Sequence, residues 1–414
     1  MKTKLFKKDF TMVIIGQIIS LFGNNILRYA LPLYLLNVTH SAALYGIVQA
    51  MAFVPMLLFS PIGGIFADRV NKRHIMVCLD FSTAILILFY TLTYQHLNLV
   101  ALLIVVLMIL YGIQGAYQPT VQASLPALVT SDQLMTGNAL INMVSSLSGI
   151  LGPVLGGVIF GFWGLGPILI LSIICFTFSA IMEIFIHIPF EKRVPEKGIL
   201  SIVKSDMKES YHFIHREHAE IGHIALLLTA VNMVFSALII IGLPIIVNEH
   251  LGFDQSLGNQ MYGYAEGALA VGGLTGALLS GVIGKKLDIR KSGIFILLCT
   301  VPLIPMGLAL LIPMNHFVAY FILVISCLFM MILSTILSIE LITYVQRRTP
   351  SSLLGKVMAL LTCLVMCGNP LGQVLYGLLF EKFSGCIYYI FFGAFLICLV
   401  LWRMSNKIFK SLES

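Results

Sequence analysis

Five charged side chains interrupt long apolar stretches: Arg28, Asp80, Glu183, Glu266 and Glu340. An ionised group in such a stretch is costly unless it is paired or faces a polar cavity, so each marks a place where chemistry is expected. Arg28 and Glu266 carry opposite charge; Arg28 sits about 12 Å from the outer end of its stretch at the rise of a helix, and Glu266 sits at similar depth. A pair made in one state and broken in another suits coupling to a proton or a substrate. A static pair, or side chains reaching outward to the surface, is the alternative. Asp80 lies seven residues after Arg73, on about the same helix face, so it either joins a buried site or buttresses a basic cluster. Glu183 and Glu340 lie shallower and are expected to reach the interface. Asn24, Asn25, Asn142 and Asn232 are further candidate buried polar groups, suited to substrate contacts or to bonds between helices.

Other constellations lead elsewhere. His212, His215, His218 and His223 are spaced for neighbouring positions on a helix, where several His can hold a metal. No Cys is close, and the flanking Glu and Lys read as polar surface. No metal site and no cofactor are expected. H-E-x-x-H, G-x-S-x-G and Walker sequences do not occur, so intramembrane proteolysis, hydrolysis and ATP-driven pumping have no carrier, and no enzyme is expected. None of the eight Cys forms a C-x-x-C pair, so no disulfide framework is indicated.

The elements that hold these residues follow from composition. The 414 residues are 59% apolar and only 10% charged. Mean hydropathy is +0.99. A soluble fold of this length needs about 25% charged residues for its skin, so lipid is the expected solvent. Apolar stretches near 20 residues recur at 11–36, 43–66, 74–94, 98–118, 138–162, 166–188, 221–247, 260–283, 292–313, 317–344, 354–379 and 386–405. Twelve helical spans are expected, because lipid-exposed backbone must satisfy itself and no barrel alternation is present. The first stretch is too long for a signal peptide and reads as an uncleaved span.

The net charge of +7 looks like a nucleic-acid footprint until its placement is read. With the N-terminus inside, 23 of the 25 Lys and Arg fall on the inner segments, leaving Lys382 outside and Arg28 within a span. That asymmetry predicts cytoplasmic termini in a cell membrane and no nucleic-acid partner. The longest polar stretch divides the chain into 1–188, a central loop at 189–220, and 221–414. Val203, Met207, Tyr211 and Ile214 in that loop have helical spacing and predict an amphipathic surface helix. Residues 64–69 and 281–286 lie 217 positions apart at corresponding span ends, and both halves carry a Gly/Pro cluster in their fifth span. Two parallel six-helix repeats are the trace of a transporter design.

The most specific motif is Gly64-Ile65-Phe66-Ala67-Asp68-Arg69-Val70-Asn71-Lys72-Arg73. It resembles the loop between spans two and three of the major facilitator superfamily, departing at Asn71, where that family usually has Gly. Asn tolerates a left-handed turn. The resemblance implies that Gly64, Asp68, Arg69, Lys72 and Arg73 latch the cytoplasmic side; a plain positive-inside anchor is the alternative. Gly152-Pro153-Val154-Leu155-Gly156-Gly157 resembles a span-five signature of that superfamily's exporters. With Gly263, Gly267, Gly272 and Gly276 of span eight it forms small-residue packing surfaces, and the resemblance implies that spans five and eight meet. Residues 112–140 and 341–381, with DMKESYHFIHREH, are similar to the macrolide-efflux and siderophore-exporter branch. The resemblance implies an exporter of a drug-like or amphiphilic small molecule, embedded in lipid and expected as a monomer; the intramembrane carboxylates, with no nucleotide site in the sequence, point to protons as the coupling ion. An uptake or lipid transporter of the same fold, or a non-transporting receptor, are the other readings.

Overall fold

The computed structural model describes residues 8–130, 133–189, 207–283, 289, 292–350 and 353–410, apart from the side chains of 61–69, 217 and 410. Among these, twelve helices are long and apolar enough to cross a membrane. In chain order they are α1 (Lys8–Thr39), α2 (Ala42–Arg69), α3 (Lys72–Thr93), α4 (Leu99–Leu128), α5 (Leu134–Trp163) and α6 (Leu165–Ile184). After the central stretch come α7 (Ala219–His250), α8 (Gln255–Ile283), α9 (Gly293–Leu311), α10 (His316–Arg348), α11 (Leu354–Lys382) and α12 (Tyr388–Lys410).

The sequence explains why α3 sits as it does. Met76, Asp80, Thr83, Ala84, Ile87 and Tyr90 are buried along one face at helical spacing. Ile85, Leu88, Phe89 and Leu92 point outward, Leu92 at 68% exposure. In water that apolar stripe would be an aggregation site; in a bilayer it is the face turned to solvent. Asn71 starts the helix by accepting a hydrogen bond from the Arg73 N–H at 3.1 Å. Its φ is −59°, so Asn71 is an N-cap and adopts no left-handed turn. An Asn one residue before a helix satisfies an orphan N–H, and that use prevails over the turn expected for it.

Three other features depart from expectation. Helix α4 runs on to Leu128 through Pro119 and Pro126, ten residues past the expected end. Membrane helices absorb Pro because neighbouring groups satisfy the freed carbonyls. Helix α7 contains π turns at Asn232–Ser236 and Ile246–His250. In the central stretch, residues 207–212 are helical and a π turn follows at Phe213–Glu217. Phe213 and Ile214 are buried there, whereas Met207 and Tyr211 are exposed. Ile214 lies against Gly222 of α7, so packing on that helix selects a different stripe from the expected one. Val203 lies outside the described residues.

The chain divides into two compact units. The first holds Met1–His40, Val48–Glu196 and Asp254–Gly267; the second holds Ser41–Ile47, Lys197–Phe253 and Ala268–Ser414. Helices α2 and α8 therefore each contribute to both. Within the first unit α1 packs on α5 and α6, and α3 packs on α4 and α6. Within the second, α11 packs on α7, and α9 packs on α10 and α12.

Candidate functional site

Helix α1 brings most of the polar residues of the first unit together. Gln17, Ser20, Asn24 and Arg28 recur at steps of three or four and line one face. Two clusters form along that face.

The first surrounds Arg28 and Glu266. Helix α1 is longer than expected, so Arg28 lies about 17 Å from its Thr39 end, and Glu266 lies about 17 Å from the start of α8. Both are half-buried. The Arg28 guanidinium lies 4.1 Å from the centre of the Tyr111 ring, a cation–π contact. Its charge also acts on the Glu266 carboxylate, to which the Tyr262 hydroxyl donates a hydrogen bond. Tyr262 stacks on Tyr29 at 5.0 Å between ring centres. The Tyr29 hydroxyl donates to the Asn259 carbonyl. The Asn37 amide donates to the Asn259 side chain at 2.9 Å. One turn deeper, Asn24 donates to Gln114 at 2.8 Å, while its own carbonyl oxygen has no partner.

Small residues let these helices approach. A Cβ on Gly152 would lie 2.5 Å from the Asn25 Cβ, and one on Gly156 would lie 3.2 Å from Tyr29. A Cβ on Gly157 would lie 3.0 Å from the Gly263 Cα, the Asn259 carbonyl and the Tyr29 hydroxyl. So α5 meets α8 at Gly157 and Gly263, and Asn25 packs against α5. Gly272 and Gly276 serve a different contact: both pack on α10, against Leu328 and Ile332. Helix α5 continues through Pro153 to Trp163.

The second cluster lies between α1, α3, α4 and α6, near where α3 begins and α6 ends. Asp80 is 1% exposed and accepts a hydrogen bond from the Ser20 hydroxyl at 2.9 Å. Ser179 also neighbours the Asp80 carboxyl and donates to the Gly16 carbonyl at 3.0 Å. Glu183 is fully buried and accepts from the Tyr117 hydroxyl at 2.8 Å. It does not reach the interface, because α1 and α4 cover the last turn of α6 on that side. Asp80 Oδ2, Glu183 Oε2 and both polar atoms of the fully buried Gln17 have no hydrogen-bond partner.

The remaining candidates are dispersed. Lys72 and Arg73 are half-buried at the start of α3. The side chains of Gly64, Asp68 and Arg69 lie outside the described residues. Asn142, expected to be buried, is exposed on α5, because spacing alone does not tell which helix face meets a neighbour. Glu340 is half-buried in α10. Asn232 opens the first π turn of α7, donates to the Leu228 carbonyl at 3.0 Å, and lines a cavity of about 250 Å³ with Phe235, Ser236, Met330, Ser334 and Ser338. Of the four His, His218 bonds Glu220 at 2.8 Å. Among the described residues, no group of three or more His, Cys, Asp or Glu gathers in metal-binding geometry.

Sequence reasoning missed Gln17, Ser20, Tyr29, Tyr111, Tyr117, Ser179, Asn259 and Tyr262. The polar stripe of α1 and the four-residue step from Tyr262 to Glu266 carried a signal for some of them. The other tyrosines are not distinguishable by type from the rest of the 15 in the chain.

Comparisons with known proteins agree with this architecture. The sequence profile of the Major Facilitator Superfamily matches residues 13–364. Macrolide efflux protein A of Streptococcus pyogenes is 25% identical over 415 residues, covering 98% of each chain. The enterobactin exporter EntS of Citrobacter koseri is 25% identical over 374 residues, covering 89% of this chain and 84% of its own. The crystal structure of the nucleoside transporter NupG superposes with a TM-score of 0.77 at 12% identity, over 97% of this chain and 99% of that one.

Proposed function

Because the chain belongs to the major facilitator superfamily of membrane transporters, we propose that it is a proton-coupled exporter of an amphiphilic organic small molecule. The observation that carries this reading is the opposite charges of Arg28 and Glu266, set deep within spanning helices, with the Arg28 charge acting on the Glu266 carboxylate. A charge pair that changes partners as the transporter changes state couples a gradient to movement of a substrate. Efflux as the direction is supported by the macrolide and enterobactin exporters to which the chain is similar. An amphiphilic cargo is supported by the cavity at Asn232, where hydroxyls and an amide alternate with Phe and Met.

The mechanism is alternating access by rocking of residues 1–188 against residues 221–414. Gly64, Asp68, Arg69, Lys72 and Arg73 form the cytoplasmic latch, with both termini on the cytoplasmic side, as the Lys and Arg distribution supports. Asn24, Asn25, Asn232 and Glu340 supply polar contacts along the substrate path. The working unit is a monomer in the lipid of a bacterial cell membrane.

Everted vesicles test this directly. A panel of fluorescent amphiphilic dyes is expected to accumulate only when a proton gradient is present. Glu266→Gln is expected to abolish that accumulation while the protein still inserts and purifies. Accumulation in right-side-out vesicles alone reverses the direction, and unchanged transport by Glu266→Gln removes Glu266 from coupling.

A further inference from the structure

The second polar cluster has a chemistry of its own. Asp80 and Glu183 are buried on facing helices, and each acts electrostatically on the other. Each has one oxygen engaged by a hydroxyl, Ser20 for Asp80 and Tyr117 for Glu183. Each has one oxygen left bare. Among the described residues, the groups acting on these carboxyls are Ser20, Ser179, Tyr117 and the carboxyls themselves, and none is a cation. On α3 itself, Arg73 stands seven residues before Asp80 on about the same face, with its Nε buried and unbonded, and it is not among the groups acting on either carboxyl; α1 presents Ser20 and Gln17, α4 presents Tyr117, and α5 has no Asp, Glu, Lys, Arg or His.

A separate observation concerns the neighbouring amide. Gln17 stands one turn before Ser20 on the same face of α1, is fully buried, and leaves both its amide nitrogen and its carbonyl oxygen unbonded. Buried amides in native interiors are nearly always hydrogen-bonded, so Gln17 marks this pocket as one with room for a further polar partner. Two neighbouring carboxylates cannot both stay ionised in a dry interior without a counter-charge. Bare carboxylate oxygens lack donors, and a proton on one of them supplies a donor and removes a charge in one step. Among the described residues, no third His, Cys, Asp or Glu joins the two carboxyls in metal-binding geometry.

We propose that Asp80 and Glu183 form a proton-binding site, closed by Ser20 and Tyr117, that takes up and releases a single proton in each transport cycle. On release, the O–H bond of the protonated carboxyl breaks, its electron pair stays on the carboxylate oxygen, and the proton passes to water at the end of the unit where α3 begins. On uptake the same bond re-forms from water at the opposite stage of the cycle. The site deepens the proton-coupled reading above and rests on it for the coupling role alone. Proton occupancy itself is a property of the resting protein.

The test separates the two. Infrared difference spectra of the purified full-length protein in lipid, taken between alkaline and neutral pH, are expected to show a protonated-carboxyl carbonyl band. Asp80→Asn and Glu183→Gln are each expected to remove it, and Tyr117→Phe to shift it, with size-exclusion profiles confirming that each variant is folded. Tyr117→Phe leaves both carboxyls in place and keeps the test decisive should either of the other variants fail to fold. In proteoliposomes, Asp80→Asn and Glu183→Gln are expected to lose proton-driven transport of Hoechst 33342 while keeping its binding. A band that survives in both carboxyl variants overturns the proposal. So does a band displaced by sodium at constant pH, which would make the site one for a metal cation. Variants that transport with unchanged gradient dependence overturn the coupling role. Loss of gradient dependence in the unmodified protein, with the band intact, overturns only the functional reading.

Discussion

The two polar clusters of the first unit solve the problem of buried charge in opposite ways. Around Glu266, the protein supplies the counter-charge itself: Arg28 acts on the carboxylate, Tyr111 receives the guanidinium on its face, and Tyr262 donates a hydrogen bond. Around Asp80 and Glu183, among the described residues, hydroxyls bond the carboxyls and no cation does. The first arrangement is complete as it stands and changes only if its parts move. The second is incomplete without a particle from outside. Both lie on one polar face of α1, so a single helix connects a self-contained charge pair to a site that must exchange with its surroundings.

That contrast can be attacked from either side. Arg28→Met makes the first cluster resemble the second. Removing the counter-charge from a half-buried carboxylate is expected to lower stability by about 1–2 kcal/mol, read as thermal unfolding by intrinsic fluorescence. Arg28→Met with Glu266→Gln is expected to recover most of that loss, and failure to recover breaks the comparison. Gly157→Val forces a side chain between the Tyr29 hydroxyl and Asn259, and overpacking of this kind is expected to cost about 2 kcal/mol and to disturb the first cluster while the infrared band persists. Tyr117→Phe removes the donor to Glu183 and is expected to cost about 1–2 kcal/mol. Gln17→Lys makes the second cluster resemble the first; a built-in cation is expected to hold both carboxyls ionised, abolishing the infrared band with less loss of stability than Tyr117→Phe. Lys356→Ala sets the baseline, since its bond to Glu209 is 2.7 Å long but both side chains are at least a third exposed. A change within about 0.5 kcal/mol is expected there.

Most of the fold is legible in the sequence. A membrane helix is recognised by the length of an apolar run, and that property is local. The end of α4 lies ten residues beyond the apolar stretch, because a packed membrane protein absorbs Pro119 and Pro126 within a helix. The charged candidates were readable too, since Arg28 and Glu266 stand out in a chain where only 10% of residues are charged. Their partners were not. Tyr111 and Tyr262 are ordinary residues for a membrane helix, and only tertiary placement gives them a role. Glu183 shows the same limit in reverse. Its place near the end of α6 suggested reach to the surface, but burial depends on which neighbouring helices cover that turn. Asn142 failed for the same reason, because its face of α5 is left uncovered.

The π turn at Asn232–Ser236 has a consequence for how α7 is keyed. A π turn holds one residue more than the α-helical turn it replaces, so the two parts of α7 are out of phase by roughly 100° relative to an uninterrupted α-helix. Gly242, beyond the turn, packs against the Phe380 ring of α11, where an added Cβ would lie 2.8 Å from the ring edge. Deleting one residue from the turn would swing Gly242 off that ring and bring a bulkier side chain to face it. The extra residue thus acts as a phase adjuster: it lets the part of α7 before the turn present Asn232 to its cavity while the part after it presents a glycine to an aromatic ring.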